Sequence, residues 1–100
     1  MAYFCYIVEC ADGTYYTGWS TDPARREKTH NAGRGARYTS MRRPVKLIYI
    51  EEVESVSAAL KRERALKAMD HPHKKRLAER YADEHAGPGA ENEKTPSDFE

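Results

Sequence analysis

The segment from Tyr3 to Trp19 constrains this chain more than any other. Tyr3 to Cys10 is aromatic and β-branched with no breaker, the composition of a strand. Ala11-Asp12-Gly13 is a tight-turn signal, and Thr14 to Trp19 reads as a second strand. Strands joined by so short a link must pair antiparallel. A three-residue loop with a bulge at Gly13 sets Cys10 opposite Thr14, Tyr6 opposite Gly18 and Val8 opposite Tyr16. Tyr6 and Tyr16 then share a face as diagonal neighbours. A two-residue Asp-Gly loop puts them on opposite faces. Periodicity does not choose between the two registers.

The rest of the chain is laid out around that hairpin. Thr21-Asp22-Pro23 opens a helix, with Thr21 or Asp22 as cap and Pro23 in the first turn, and Gly33 suits the position just past its end near Asn31. Arg34 to Pro44 reads as a Gly- and Arg-rich loop, and Val45 to Val53 as a third strand. Ser55 or Ser57 caps a second helix reaching about Met69, His71-Pro72 interrupts, and Pro72 to Ala82 forms a shorter basic helix. From Asp83 onward the chain is polar, acidic and unpatterned, and residues 83–100 are expected to be a disordered tail. The order ββαβαα predicts one α+β domain over residues 1–82, a small, largely antiparallel sheet with helices packed on it.

No stretch approaches ~20 apolar residues, so no membrane span is expected, and the first residues lack the basic start of a signal peptide. A cytoplasmic protein is the default. Cys5 and Cys10, five apart in a strand, point to opposite faces, so no bridge is expected between them. No Cys/His cluster suggests zinc. The net charge of +1 hides an asymmetry: residues 1–82 carry sixteen Lys/Arg against ten Asp/Glu, whereas residues 83–100 carry one Lys and six acids. Between Arg25 and Lys46 there are eight basic residues and one acid, Glu27. Such a field can draw a polyanion, or can be a solvated loop.

Two helices break their own pattern. In the second, Val56, Ala59, Leu60 and Leu66 form an apolar arc with Glu63 in its middle. A carboxylate facing a core must be paired or hold a cation. A salt bridge to a neighbouring Arg, a metal-ligand or catalytic role, and a shifted helix phase all account for it. The first helix, ARREKTHN, has no apolar residue beyond Ala24. It stands in water or turns a polar face toward something polar, and Arg26 and His30 share one face by i,i+4 spacing.

Tyr6, Tyr16-Thr17-Gly18, Arg26, His30 and Glu63, in that order and spacing, resemble the GIY-YIG nuclease domain. Phe4-Cys5-Tyr6 keeps only the tyrosine of the first motif, and the second carries Thr in place of Ile. The stretches YYTGWSTDPARREKTHNAGRGARYT, RRPVKLIY and SAALKRERALKAM resemble the small stand-alone bacterial branch of that superfamily. The resemblance covers roughly residues 3–80.

It implies a three-stranded antiparallel sheet flanked by helices, with the site on one sheet face. It implies a metal-dependent endonuclease that hydrolyses phosphodiester bonds with one Mg²⁺ or Mn²⁺. Carried over by position, Glu63 is the metal ligand and Arg26 contacts the scissile phosphate. Tyr6 acts as base toward water, and Tyr16 and His30 assist, with His30 as the alternative base. A carboxylate suits Mg²⁺, and guanidinium suits phosphate. A Tyr base with a reference pKa near ~10 needs cationic surroundings. Arg34, Arg37, Arg42, Arg43 and Lys46 are the candidate nucleic-acid contacts, with DNA expected ahead of RNA and structure-guided rather than sequence-specific cutting. The alternative is a nucleic-acid-binding module with little or no cleavage. Three departures stand out: Glu27 where the family usually has an apolar residue, Trp19 after the glycine, and no Asn between residues 64 and 91. Glu27 is expected to weaken packing of the first helix.

Overall fold

The computed structural model describes residues 2–91. Strands β1 (Tyr3–Cys10), β2 (Tyr15–Ser20) and β3 (Val45–Val53) form one antiparallel sheet in the order β2-β1-β3. Helices α1 (Pro23–Asn31) and α2 (Arg37–Ser40) follow β2, and α3 (Val56–Ala68) and α4 (His71–Glu91) follow β3. This is the α+β fold, a three-stranded antiparallel sheet flanked by helices.

The hairpin uses the three-residue loop. Gly13 takes φ +84° and donates its N–H to the Cys10 carbonyl at 2.9 Å, and the Cys10 N–H reaches the Thr14 carbonyl at 2.8 Å. Tyr6 lies opposite Gly18 and Val8 opposite Tyr16. The alternation of β1 then sorts two cores onto two faces. Tyr6, Val8, Cys10 and Val45 are buried on one, with Tyr16 and Leu47 against them. Cys5, Ala59 and Leu66 are buried on the other, with Trp19, Tyr49, Val53, Met69 and Leu77. Trp19 is thus part of the packing under α3. Cys5 and Cys10 are free thiols on opposite faces.

The caps form as the side-chain chemistry dictates. Asp22 accepts from the Arg25 N–H at 3.1 Å, Ser55 from Ala58 at 3.0 Å and Asp70 from His73 at 3.0 Å, each meeting a donor that a helix start leaves open. Pro72 sits in the first turn of α4, where its missing N–H costs nothing.

Three expectations are corrected. In α3 only Ala59 and Leu66 are buried, while Val56 and Leu60 are exposed, so the helix is rotated relative to the apolar arc. The Arg34–Pro44 loop contains the one-turn α2, held by the Thr39 and Ser40 hydroxyls donating to the Ala36 and Arg37 carbonyls. Finally, α4 continues to Glu91, past its expected end at Ala82. Polarity there argues against burial, not against helix, and no breaker stands between Ala78 and Ala86. The His85 ring lies tilted against Tyr81, 4.0 Å between ring centroids, and its Nδ1 lies 2.9 Å from the Tyr81 carbonyl. Residues 92–100 of the expected tail lie outside the described residues.

Candidate active site at the β2 edge

Helix α1 solves its lack of apolar residues with hydrogen bonds. Glu27 and Asn31, one turn apart, both face β3. Glu27 Oε2 accepts from the Leu47 N–H at 2.6 Å. Asn31 accepts from the Val45 N–H at 2.7 Å and donates to the Val45 carbonyl at 2.9 Å. The register of β3 against β1 shifts between Ile7 and Val8, beside the Leu47 that Glu27 binds. Glu27 therefore fastens α1 to the sheet, contrary to the expectation that it weakens packing there.

The adjacent face of α1 carries His30, which is buried beneath the hairpin. Its Nε2 is 2.9 Å from the Tyr6 hydroxyl and its Nδ1 is 2.8 Å from the Thr39 hydroxyl. Thr39 also reaches the Ala36 carbonyl at 2.9 Å. Tyr6, His30 and Thr39 are all essentially inaccessible to solvent. Two glycines make room. A Cβ on Gly18 would meet the Tyr6 hydroxyl oxygen at 2.7 Å, and one on Gly35 would overlap the His30 imidazole. The Tyr16 ring meets His30 edge-on at 5.2 Å between centroids and lies near-parallel to Tyr38 at 6.2 Å. Tyr6 and Tyr16 share a sheet face.

Burial sets the electrostatics. It pushes the Tyr6 phenol up to about 12, with the nearby Arg26 guanidinium pulling the other way and the Glu63 carboxylate adding to the rise. Burial, then the positive charge of Arg26, lowers the His30 pKa below its ordinary value. His30 is therefore held toward its neutral form beside Tyr6. Arg26 is itself exposed at the mouth of the site.

Glu63 arrives on α3, which packs on the opposite face through Ala59 and Leu66. Its side chain is 20% exposed and pairs loosely with Lys67 at 3.6 Å. Lys67 in turn lines a shallow groove of about 250 Å³ with Tyr15, Tyr16, Thr17, Tyr38 and Lys74. Tyr16 belongs to one sheet face, Tyr15 and Thr17 to the other, so the groove wraps the free edge of β2. Glu63 meets this groove through its contact with Lys67.

Among the described residues no three His, Cys, Asp or Glu side chains cluster as a ready-made metal cage. A lone, partly exposed carboxylate still fits Mg²⁺ or Mn²⁺, which keep several waters and bind through one or two carboxylates plus substrate phosphates.

The basic residues divide. Arg42 is bound within the protein: Nε is 3.1 Å from Asp12 Oδ2, Nη1 donates to the Tyr38 carbonyl at 3.0 Å, and the guanidinium lies 3.8 Å over the Tyr38 ring. Arg43 donates to the Ser40 and Asn31 carbonyls at 3.0 and 3.4 Å. Arg34 and Arg37 are exposed on the α1–α2 side. Lys46 stands apart, lining a groove with Glu9, Tyr15, Lys75 and Glu79 against α4. Sequence reading missed Thr39, since nothing marks one threonine in a polar loop as buried. It also missed Asn31, although the i,i+4 spacing from Glu27 was a usable signal.

Comparison with known proteins agrees with this architecture. The model of the GIY-YIG catalytic domain matches residues 2–82. A UPF0213 protein of Haloquadratum walsbyi is 47% identical over 81 residues, covering 81% of this chain and 91% of its own. One from Staphylococcus aureus is 49% identical over 76 residues, covering 76% and 93%. The solution NMR structure of a UPF0213 protein from Bacillus halodurans shares 34% identity with a TM-score of 0.53, covering 97% of this chain and 99% of that one. A protein from E. faecalis, also solved by NMR, shares 36% with a TM-score of 0.55, covering 85% and 91%. With the family model spanning four-fifths of its length and relatives from bacteria and archaea alike, the chain belongs to the GIY-YIG catalytic domain family, among its small stand-alone UPF0213 members.

Proposed function

We propose that this protein is a cytoplasmic endonuclease that hydrolyses phosphodiester bonds in nucleic acid, DNA ahead of RNA, guided by structure rather than sequence. The observation that carries the reading is the buried Tyr6–His30–Thr39 chain, with Arg26 and Glu63 both near enough to act on the Tyr6 charge. Such a polar chain is expensive to bury unless every member is satisfied, and it holds the phenol in one orientation. Arg26 offers paired donors to the scissile phosphate and stays charged at working pH. Tyr6 is the base toward the attacking water, His30 its proton partner, and Tyr16 borders the phosphate. Glu63 would hold Mg²⁺ or Mn²⁺, which would neutralise phosphate charge and place a positive charge near the phenol. Arg34 and Arg37 would add phosphate contacts that carry no sequence information.

One observation favours a second reading, a binding module with little cleavage: the phenol in the base's position is buried and pushed up to about 12. A cleavage assay on labelled branched, single-stranded and duplex substrates, with Mg²⁺ or Mn²⁺, separates the two. Glu63→Gln should abolish cleavage while binding survives. Arg26→Lys should bind normally and cut at least ~10²-fold more slowly, as transition-state charge contacts do. Normal cleavage by Glu63→Gln would remove that residue from the site. Binding without cleavage by the unaltered protein would leave the module.

A further inference from the structure

The groove round the β2 edge has features that the proposed cutting chemistry does not use. Lys67 from α3 and Lys74 from α4 line the same small space, two like charges from different helices facing one groove. The field of Lys67, after burial, lowers the Lys74 pKa. Thr17, also in the groove wall, is 2% exposed, and its hydroxyl oxygen is the one buried side-chain polar atom without a partner among the described residues. An unpaired buried hydroxyl is costly to keep. The remaining walls are the rings of Tyr15, Tyr16 and Tyr38. At about 250 Å³ the groove is smaller than the ~300–1,000 Å³ typical of small-molecule sites.

We propose that this groove is a phosphate subsite for the cleaved strand, seating a phosphodiester next to the scissile one between Lys67 and Lys74, with the Thr17 hydroxyl turned toward it. The proposal rests on the nuclease reading, because the groove adjoins Glu63 through the 3.6 Å Lys67 contact. A bound phosphate takes up the repulsion between the lysines. It also draws Lys67 off Glu63, freeing that carboxylate when substrate arrives. Substrate and cation are thereby coupled: each removes a competitor of the other.

The test is binding of a labelled single-stranded oligonucleotide by fluorescence anisotropy across a salt series, beside cleavage kinetics with Mg²⁺. Lys67→Ala with Lys74→Ala should flatten the slope of log K against log salt by about 0.7 for each phosphate that is no longer neutralised. KM should rise at least ~5-fold for the same reason. Lys61→Ala, on another side of α3, controls for charge alone and should alter neither beyond the general field. Thr17→Val should leave the melting temperature unchanged or higher yet weaken binding. An unchanged slope in the double variant, or unchanged binding in a folded Thr17→Val protein, would overturn the subsite while leaving cleavage to stand. A flattened slope in a protein that never cuts would keep the subsite and remove the nuclease reading.

Discussion

Both faces of the sheet hold an apolar core, but they differ in what is packed around it. Under α3 and α4 most contacts are apolar, with Cys5, Ala59 and Leu66 sealed from solvent beneath Trp19, Met69 and Leu77, and an Arg62–Glu51 pair at 2.9 Å beside them. Under α1 and α2 much of the packing is polar: Tyr6 on His30, His30 on Thr39, and Glu27 and Asn31 on the backbone of β3. Apolar burial is non-directional and supplies stability. Hydrogen bonds supply less net stability but fix orientation. The first face is held mainly by apolar burial, and the second fixes the orientation of the candidate site's side chains.

The contrast breaks first at Leu66. Leu66→Ala should destabilise the fold by about 2–5 kcal/mol, the usual cost of emptying a core leucine. A denaturant melt giving under ~1 kcal/mol would mean that apolar burial is not what holds that face.

A smaller effect is expected on the polar face. Thr39→Val removes a partner from a buried imidazole and should cost about 1–3 kcal/mol. It should also lower cleavage more than the same stability loss produced in the apolar core. Equal activity at matched stability would show that orientation of His30 is irrelevant.

pH dependence sharpens the comparison further. The His30 pKa is lowered in the folded protein, so the unfolded chain binds more protons in acid. The contribution of a neutral His30 is complete above its unfolded value of 6.5 and is lost as pH falls below it. The Tyr6 phenol is raised from 10.0 to about 12, so its contribution is intact below pH 10 and lost between about 10 and 12. Replacing His30 with Gln should flatten the acid limb of melting temperature against pH and leave that of Leu66→Ala parallel to the parent. An unaltered acid limb would assign that titration elsewhere.

The smallest effects belong to the basic loop. Arg37→Ala, at an exposed position, should weaken binding uniformly across sequences and reduce the salt slope by about 0.7–0.9. Arg42→Ala should lower stability as well, because it removes the Asp12 pair and the Tyr38 cation–π contact. Equal melting temperatures for the two would contradict the division of the loop into internal and outward arginines.

The fold is largely legible in the sequence because its signals are local. A glycine that can take a positive φ at Gly13, acceptor side chains at Asp22 and Ser55, and a β-branched third strand each act within a few residues. The α3 phase is not legible, because Val56 and Leu60 suggest an apolar arc while the sheet edge selects a face holding Ala59 and Leu66. The extent of α4 escapes too, because a lack of apolar pattern is easily taken for a lack of helix. Register and resemblance together bring Tyr6, Tyr16 and His30 to one place. The low charge state of His30 lies beyond both, since burial acts through tertiary packing that no single motif encodes. Glu27 and Asn31 are legible only in part: spacing puts them on one face, but that the face meets β3 is a property of the assembled sheet.

The Tyr6–His30–Thr39 chain has a direction, and the groups around His30 Nδ1 set it. The Thr39 hydroxyl has a single proton and two acceptors in reach, the Ala36 carbonyl and His30 Nδ1. Given to Ala36, it leaves Nδ1–H to donate to Thr39, so Nε2 is bare and receives the Tyr6 O–H, and the 3.4 Å approach of the Ala36 N–H to Nδ1 is then lost. Given to Nδ1, it turns the imidazole to the other tautomer, whose Nε2–H donates to the phenol oxygen and releases the phenol's own hydrogen to point elsewhere. The rotation of one threonine hydroxyl, together with the Ala36 N–H, thus bears on the polarity of the whole wire and on whether the tyrosine donates or accepts its hydrogen bond to His30.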